Sequence, residues 1–144
     1  MKPVPKERSE GLNALRVPLG LAPMEARLIE ELPEDAGWQY EPKWDGFRCL
    51  AFRSRQAVEI KAKSGKPLSR FFPEVLQNLR SLPRKTFVLD GELVIAGKDG
   101  LSFDALQMRL HPAPSRIARL ARETPATFVV FDCLQMKAGQ SHTV

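Results

Sequence analysis

Residues 86–96, TFVLDGELVIA, form an apolar, β-like stretch that carries two carboxylates around a glycine. The stretch ends at a turn signal, Gly97-Lys98-Asp99-Gly100. A carboxylate between apolar runs must face water, a partner or a metal, because burying an unpaired charge is costly. The pattern therefore predicts a strand with Glu92 as a candidate functional residue. Asp90 fits a turn or capping role equally well.

Elements on both sides of this strand predict an α+β fold. Downstream, SFDALQMRL and PSRIARLARE are typical of two helices separated by HPAP, and ATFVVFDCL predicts a final, central strand. Upstream, AVEIKAK predicts another strand. A helix is predicted to begin at Pro73 and to end before Pro83. Its apolar face is formed by Phe72, Val75, Leu76, Leu79 and Leu82. We expect mostly antiparallel sheet with flanking helices.

A β-hairpin is predicted around Asp45-Gly46, because this dipeptide separates two β-like runs, WQYEPKW and FRCLAFRS. Strand alternation would place Glu41, Lys43 and Asp45 on one face. The aromatic residues of the first run would then pack behind that face.

Charge is unevenly distributed along the chain. The 22 Lys and Arg residues exceed the 17 Asp and Glu residues, which gives a net charge of +5 over 144 residues. Between Arg53 and Lys85 there are nine basic residues against only Glu59 and Glu74. Such a run is either a solvated face or a surface for phosphate-rich partners such as nucleotides or nucleic acid.

Several classes of protein are disfavoured by the composition. Cys49 and Cys133 lie in apolar runs, as buried small hydrophobes do, and with two histidines they offer no zinc-ligand spacing. The N-terminus lacks a signal-peptide core, and no segment approaches membrane-spanning length. We therefore expect a cytoplasmic protein without a membrane partner. Its proline-rich residues 1–18 are expected to form a flexible segment.

The stretch EPKWDGFR, Glu41–Arg48, allows two interpretations of Lys43. A lysine amine is nucleophilic only when unprotonated, so a catalytic lysine must be partly desolvated or lie near other cations. Nearby aromatic residues could supply the cover and Arg48 the cation. Otherwise Lys43 is an exposed residue near a turn.

The motif Lys-x-Asp-Gly-x-Arg in this stretch resembles the signature of the covalent nucleotidyltransferases: ATP-dependent DNA ligases, RNA ligases and mRNA capping enzymes. In the same order, KAKSGKPLSRFFPEV, VLDGELVI and FVVFDCL resemble the later motifs of bacterial ATP-dependent ligases. The connecting segment SFDALQMRLHPAPSR is most similar to small bacterial DNA ligases of the two-domain type. The resemblance covers roughly residues 20–135.

The resemblance implies a role for each matching residue. Lys43 would attack the α-phosphate of ATP and form a lysyl–AMP phosphoramidate. Glu41 would contact the adenine edge, Arg48 the ribose or α-phosphate, and Phe131 would stack on the adenine ring. Glu92 would lie by the ribose and, with Asp45, near a catalytic Mg²⁺. Lys63 stands where the family usually has an arginine, and a lysine lacks the fork geometry that grips phosphate.

The implied fold is a partial, ATP-grasp-like nucleotidyltransferase domain. Residues 19–144 would be the N-terminal portion of a ligase adenylation domain, without its later metal and lysine motifs and without the OB-fold domain. The implied activity is sealing of nicked or broken double-stranded DNA near the nucleoid. We expect this chain alone to bind ATP weakly, to self-adenylate poorly and to be deficient in sealing. We also expect it to self-associate through exposed sheet edges.

Two other functions stay open. One is a non-catalytic module that binds nucleotide or DNA through the basic run between Arg53 and Lys85. The other is an RNA ligase or capping-type transferase that shares the lysine motif, although the segment FDALQMRLHPA argues against it.

Overall fold

The computed structural model describes residues 11–137 together with residues 140 and 141. Its larger sheet contains β1 (Phe47–Ser54), β2 (Ala57–Ala62), β3 (Thr86–Val94), β6 (Thr127–Lys137) and β7 (Gln140–Ser141), and a separate pair contains β4 (Ala96–Gly97) and β5 (Gly100–Leu101). The helices are α1 (Pro73–Ser81), which follows a 3-10 turn at Ser69–Phe71, α2 (Phe103–Arg109) and α3 (Pro114–Glu123). The predicted α+β class is confirmed. No helix within these described residues is both long and apolar enough to span a bilayer.

The larger sheet is antiparallel throughout, in the order β2-β1-β3-β6-β7. The central strand of the described sheet is therefore β3, the strand that carries the two carboxylates. The predicted final strand, β6, lies beside β3, and β7 follows it.

The hairpin predicted at Asp45-Gly46 is wrong. Residues 38–45 form no strand, and the first hairpin instead joins β1 to β2, where Ser54 pairs with Ala57 across Arg55 and Gln56. The reason lies in the use of Gly46, because a methyl group on its Cα would overlap the carbonyl oxygen of Leu93 in β3. This glycine allows a close approach of two backbones rather than a tight turn.

One face of the sheet carries the main hydrophobic core. Helix α1 packs on it through Val75, Leu76 and Leu79, all of which are buried as predicted. Leu82 was expected on the same apolar face but is 42% exposed. It caps α1 with an extended backbone, so its side chain no longer follows the helical period.

The opposite face carries a smaller cluster around Leu50, Phe52 and Val88. Leu12 and Leu15 cover this cluster and are buried. They belong to the segment 1–18 that the sequence predicts to be flexible; residues 1–10 of that segment lie outside the described part of the chain.

A buried arginine connects the helices on the main core face. Arg109 in α2 is fully buried and donates to both carboxylate oxygens of Glu74 in α1, at 2.7 and 2.9 Å. It also donates to the backbone carbonyls of Phe71 and Thr124. Glu74 in turn accepts from the backbone N–H of Ala126. One ion pair thus ties α1, α2 and the connection from α3 to β6.

Candidate active site

Strand pairing brings three charged residues together on the face of the sheet that carries the smaller cluster. Arg48 in β1 lies directly opposite Glu92 in β3, and Leu50 lies opposite Asp90. Paired residues of neighbouring strands point to the same face, and residues two apart on one strand do so as well. Arg48, Asp90 and Glu92 therefore form one group next to the apolar side chains of Leu50 and Phe52.

Arg48 is held by the carboxylate of Asp90. Its Nε and Nη2 atoms each donate to one oxygen of Asp90, both at 2.7 Å. Asp90 is buried and Arg48 is half-buried, so the pair lies at the margin of the core. These hydrogen bonds are the largest cause that raises the pKa of Arg48, and partial burial opposes them. The two hydrogen bonds fix the orientation of the guanidinium group and favour its charged form.

Phe131 joins this group because β6 is irregular beside it. The register between β3 and β6 shifts between Asp90 and Gly91, which pair with Asp132 and Val130. Phe131 is the extra residue of the resulting bulge, and bulges re-aim side chains. The guanidinium carbon of Arg48 lies 4.5 Å from the centre of the Phe131 ring, a cation–π contact.

The environment of the site shifts the pKa of the Glu92 carboxylate. Burial raises the pKa of Glu92 above its ordinary value, while Arg48, the nearby backbone N–H of Gly46 and Lys43 oppose the rise. The backbone of Gly46 packs against the carbonyl of Leu93, which brings the segment that carries Lys43 next to Glu92. The lysine motif and the carboxylate motif thus meet at one end of β1 and β3.

Lys43 and Asp45 form an exposed pair at this end of the sheet. The Lys43 Nζ lies 3.2 Å from Asp45 Oδ1, and their side chains are 86% and 78% exposed. The predicted aromatic cover is not formed by Trp38 and Tyr40, which are 60% and 56% exposed. Lys43 therefore projects into solvent above the Arg48 group.

The two remaining predicted site residues lie at the margin. The backbone N–H of Lys63 donates to the carbonyl of Arg48 at 3.0 Å, which places Lys63 beside the site. Its Nζ atom lies 3.1 Å from an oxygen of Glu25, and both side chains are largely exposed. Glu41 is exposed in the irregular segment before β1, and the structure joins it to none of the other predicted site residues.

The carboxylates near Lys43 offer a limited set of metal ligands. Within the described part of the chain, no three side chains of the His, Cys, Asp or Glu type converge as a metal site would require. Asp45 precedes Gly46, whose backbone packs against that of Leu93, the residue after Glu92. Two carboxylates suit Mg²⁺, which keeps several waters and takes further oxygens from substrate phosphates.

Asp90 also belongs to the site. From the sequence, its carboxylate fits a turn or a capping role. Its position two residues before Glu92 on the same strand puts both side chains on one face. Its partner, Arg48, is 42 residues away in sequence, so only the strand register reveals the pair. Period-two alternation along the strand is the signal in the sequence that places both carboxylates on a shared face.

Comparison with known proteins identifies the family that this chain resembles. The family model of the ATP dependent DNA ligase domain matches residues 22–142. DNA ligase C of Mycobacterium tuberculosis is 46% identical over 117 residues, and the match covers 81% of this chain and 32% of that protein. DNA ligase C1 of Mycolicibacterium smegmatis is 47% identical over 121 residues, with 81% and 35% covered.

A solved structure shares the fold. The crystal structure of the ligase domain from M. tuberculosis LigD superimposes with a TM-score of 0.52 at 28% sequence identity. The match covers 70% of this chain and 30% of that one. The chain spans about a third of the length of the curated relatives that it matches.

Proposed function

Because the chain belongs to the ATP dependent DNA ligase domain family, we propose that it carries the lysine that takes up AMP from ATP before DNA is sealed. The observation that supports this most is the meeting of two motifs, since the backbone of Gly46, three residues after Lys43, packs against that of Leu93, the residue after Glu92. In the whole ligase, we propose that the AMP passes to the 5′-phosphate of nicked or broken double-stranded DNA.

The proposed chemistry is a phosphoryl transfer to nitrogen. The lone pair of the Lys43 amine attacks the α-phosphorus of ATP and forms a P–N bond. The bond from that phosphorus to the bridging oxygen breaks, and pyrophosphate leaves with its electron pair. The amine loses its protons to solvent, and the product is a lysyl–AMP phosphoramidate. Such a transfer depends on alignment and charge neutralisation more than on acid–base groups.

The other residues of the site position the nucleotide in this proposal. Arg48, held by Asp90, presents its charge to the ribose or α-phosphate, and Phe131 offers the ring face not taken by Arg48 to the adenine. Glu41 contacts the adenine edge, and Lys63 meets phosphate as a point charge. Bound ATP covers Lys43 and thereby supplies the desolvation that its exposed position lacks.

A Mg²⁺ ion fits the carboxylates beside Lys43. Asp45 and Glu92 would hold it, and it would neutralise charge on the phosphates and orient the leaving group. Partial burial disfavours the ionised form of Glu92, so a cation at this position would favour that form.

The decisive experiment is labelling with ATP that carries the label on its α-phosphate, in the presence of Mg²⁺, followed by denaturing electrophoresis. We expect covalent label on the parent chain and none on Lys43→Ala. Lys98→Ala, which removes another lysine in the β4–β5 hairpin, is the matched control and should keep the label. Label retained on Lys43→Ala, or absent from both the parent and the control, would contradict the proposal.

A further inference from the structure

Some cations of the basic run between Arg53 and Lys85 are buried or lie beside a carboxylate, and others have no carboxylate partner in the described part of the chain. Lys61 and Lys63 lie beside Glu59 and Glu25, and Arg53 is buried. Four others gather where the β1–β2 turn meets the end of α1 and the loop after it. This turn-end cluster consists of Arg55, Arg80, Arg84 and Lys85. None of the four forms an ion pair with any carboxylate in the described residues.

Arg53 fixes the backbone that carries the turn-end cluster. Its Nη1 donates to the carbonyls of Leu79, Leu82 and Arg84 at 2.6, 2.9 and 3.0 Å. Its Nε donates to the carbonyl of Arg55 at 3.0 Å. The end of α1, the following loop and the β1–β2 turn are therefore held by one buried guanidinium. The backbone that carries the charges is preorganised, which lowers the backbone entropy lost when a ligand binds.

The two loops of the cluster are also joined directly. The backbone N–H of Arg55 donates to the carbonyl of Lys85 at 2.7 Å. Arg55 has a φ of 55°, a conformation in which glycine or asparagine is preferred, and no other non-glycine among the described residues has a positive φ. A long cationic side chain thus occupies a position at which a smaller residue would relieve the backbone.

The spacing between this cluster and the nucleotide site suits a nucleic-acid backbone. Arg48 and Arg55 are seven residues apart along β1 and its turn, which is roughly 23 Å at the rise of an extended strand. Phosphates along one strand of DNA recur about every 3.4 Å of helix axis. The cluster therefore lies at the opposite end of β1 from Arg48, and a duplex that contacted both would span several base pairs.

We propose that the turn-end cluster binds backbone phosphates of duplex DNA several base pairs away from the end that is being sealed, an inference that rests on the proposed function. Four cations on a fixed backbone, without carboxylate partners among the described residues, match a row of phosphates in charge. Contacts of this kind position the duplex without reading its sequence.

The first test is the salt dependence of DNA binding by the full 144-residue chain. A variant with Arg55→Asn, Arg84→Gln and Lys85→Gln is compared with a control that loses the same charge elsewhere through Lys98→Gln, Arg119→Gln and Arg122→Gln. Binding to a nicked duplex is measured by fluorescence anisotropy over a salt series. The slope of log K against log salt should fall by about 0.9 for each phosphate that the protein no longer neutralises, hence by about 2 to 3. The control should keep the parent slope.

The second test locates the phosphates on the DNA. Hairpin-capped nicked duplexes are shortened to about four base pairs on one side of the nick, each side in turn. On the side that the cluster binds, shortening the duplex should weaken DNA binding by the parent chain. It should not weaken binding by the cluster variant any further, because that variant no longer contacts the phosphates that are removed. The variant should keep the parent's melting temperature or raise it, since asparagine suits the conformation of Arg55.

Several outcomes would overturn the inference. These are no DNA binding by the parent, an unchanged slope in the cluster variant, an equal loss in the control variant, or equal sensitivity of parent and variant to both shortened arms. Labelling with ATP on the same preparations separates this inference from the proposed function. The cluster variant should still be labelled at Lys43. Absence of label from every preparation would contradict self-adenylation, while the DNA-binding data would still test the cluster.

Discussion

Replacing Arg109 by methionine should lower the free energy of unfolding by about 4 kcal/mol, because it leaves the Glu74 carboxylate without its cation. Methionine is similar in length and apolar, so packing is largely kept while the charge is lost. The guanidinium is fully buried and makes four hydrogen bonds, two to Glu74 and one each to the carbonyls of Phe71 and Thr124. The test therefore isolates the polar connection among the helices.

The magnitude follows from the environment of the pair. Removing one partner of a buried ion pair costs about 3–5 kcal/mol, since the other charge remains desolvated. Each buried carbonyl that loses its donor adds about 1–3 kcal/mol, of which part is already contained in the first figure. Glu74 keeps the backbone N–H of Ala126 and is 16% exposed, so water offsets some of the loss. A total of about 4 kcal/mol is a large share of the roughly 5–15 kcal/mol typical of a domain.

Urea denaturation followed by far-UV circular dichroism measures this change. We expect a lower midpoint with the slope m unchanged, since the surface exposed on unfolding stays the same. Arg119→Met is the matched control, because Arg119 lies 3.7 Å from Glu123 in an exposed pair on α3. Surface substitutions of this kind change stability by less than about 0.5 kcal/mol.

A double-mutant cycle sharpens the test. Glu74→Gln keeps an oxygen for the backbone N–H of Ala126 but removes the charge, so the double variant with Arg109→Met should cost less than the sum of the single changes. We expect a coupling energy of about 2 kcal/mol between the two residues. A loss below about 1 kcal/mol for Arg109→Met, or additive effects in the cycle, would refute the view that this ion pair connects the helices.

Two further changes test the candidate active site. Glu92→Gln should raise the melting temperature relative to the parent, and the difference should grow as the pH rises from about 4 to 7. The raised pKa of Glu92 means that its stabilising contribution is present below the ordinary carboxyl pKa and is lost as the pH rises through the folded-state value. A difference in melting temperature that shrinks as the pH rises would contradict a raised pKa of Glu92. Gly46→Ala should cost about 2 kcal/mol or more, because its methyl group would overlap the carbonyl oxygen of Leu93. Gly37→Asn, at an exposed glycine with a φ of 99°, is the control, and an equal loss there would contradict the packing role of Gly46.

Local periodicity predicts most of the elements of this fold. Helix α1 has a proline at its first position and an apolar residue at every third or fourth position, and β3 is an apolar run that ends at a turn signal. Both signals lie within about ten residues of chain, so they need no knowledge of the partner elements. The same holds for α2, whose N-cap Ser102 accepts a hydrogen bond from the backbone N–H of Ala105.

Pairs of residues distant in sequence lie beyond such signals. Arg48 and Asp90 are 42 residues apart, and Arg109 and Glu74 are 35 apart, so neither pair can be deduced from spacing. Arg53 likewise counts as one more charge in a basic run, yet the structure buries it. A buried cation is compatible with the sequence only when backbone carbonyls or a carboxylate meet it, and tertiary packing alone brings them there.

The two motif glycines allow the segments that carry the motif carboxylates to pack closely against their neighbours. A methyl group on Gly46 would overlap the carbonyl oxygen of Leu93, and one on Gly91 would overlap that of Val129. Each glycine therefore allows one backbone to touch another, and each adjoins a carboxylate, Asp45 in one motif and Glu92 in the other. Close backbone contact on both sides of β3 therefore fixes the backbone that carries these carboxylates. The Asp-Gly dipeptide that is typical of a hairpin thus acts here as a packing element, and the site depends on glycines that touch no nucleotide in the proposed reaction.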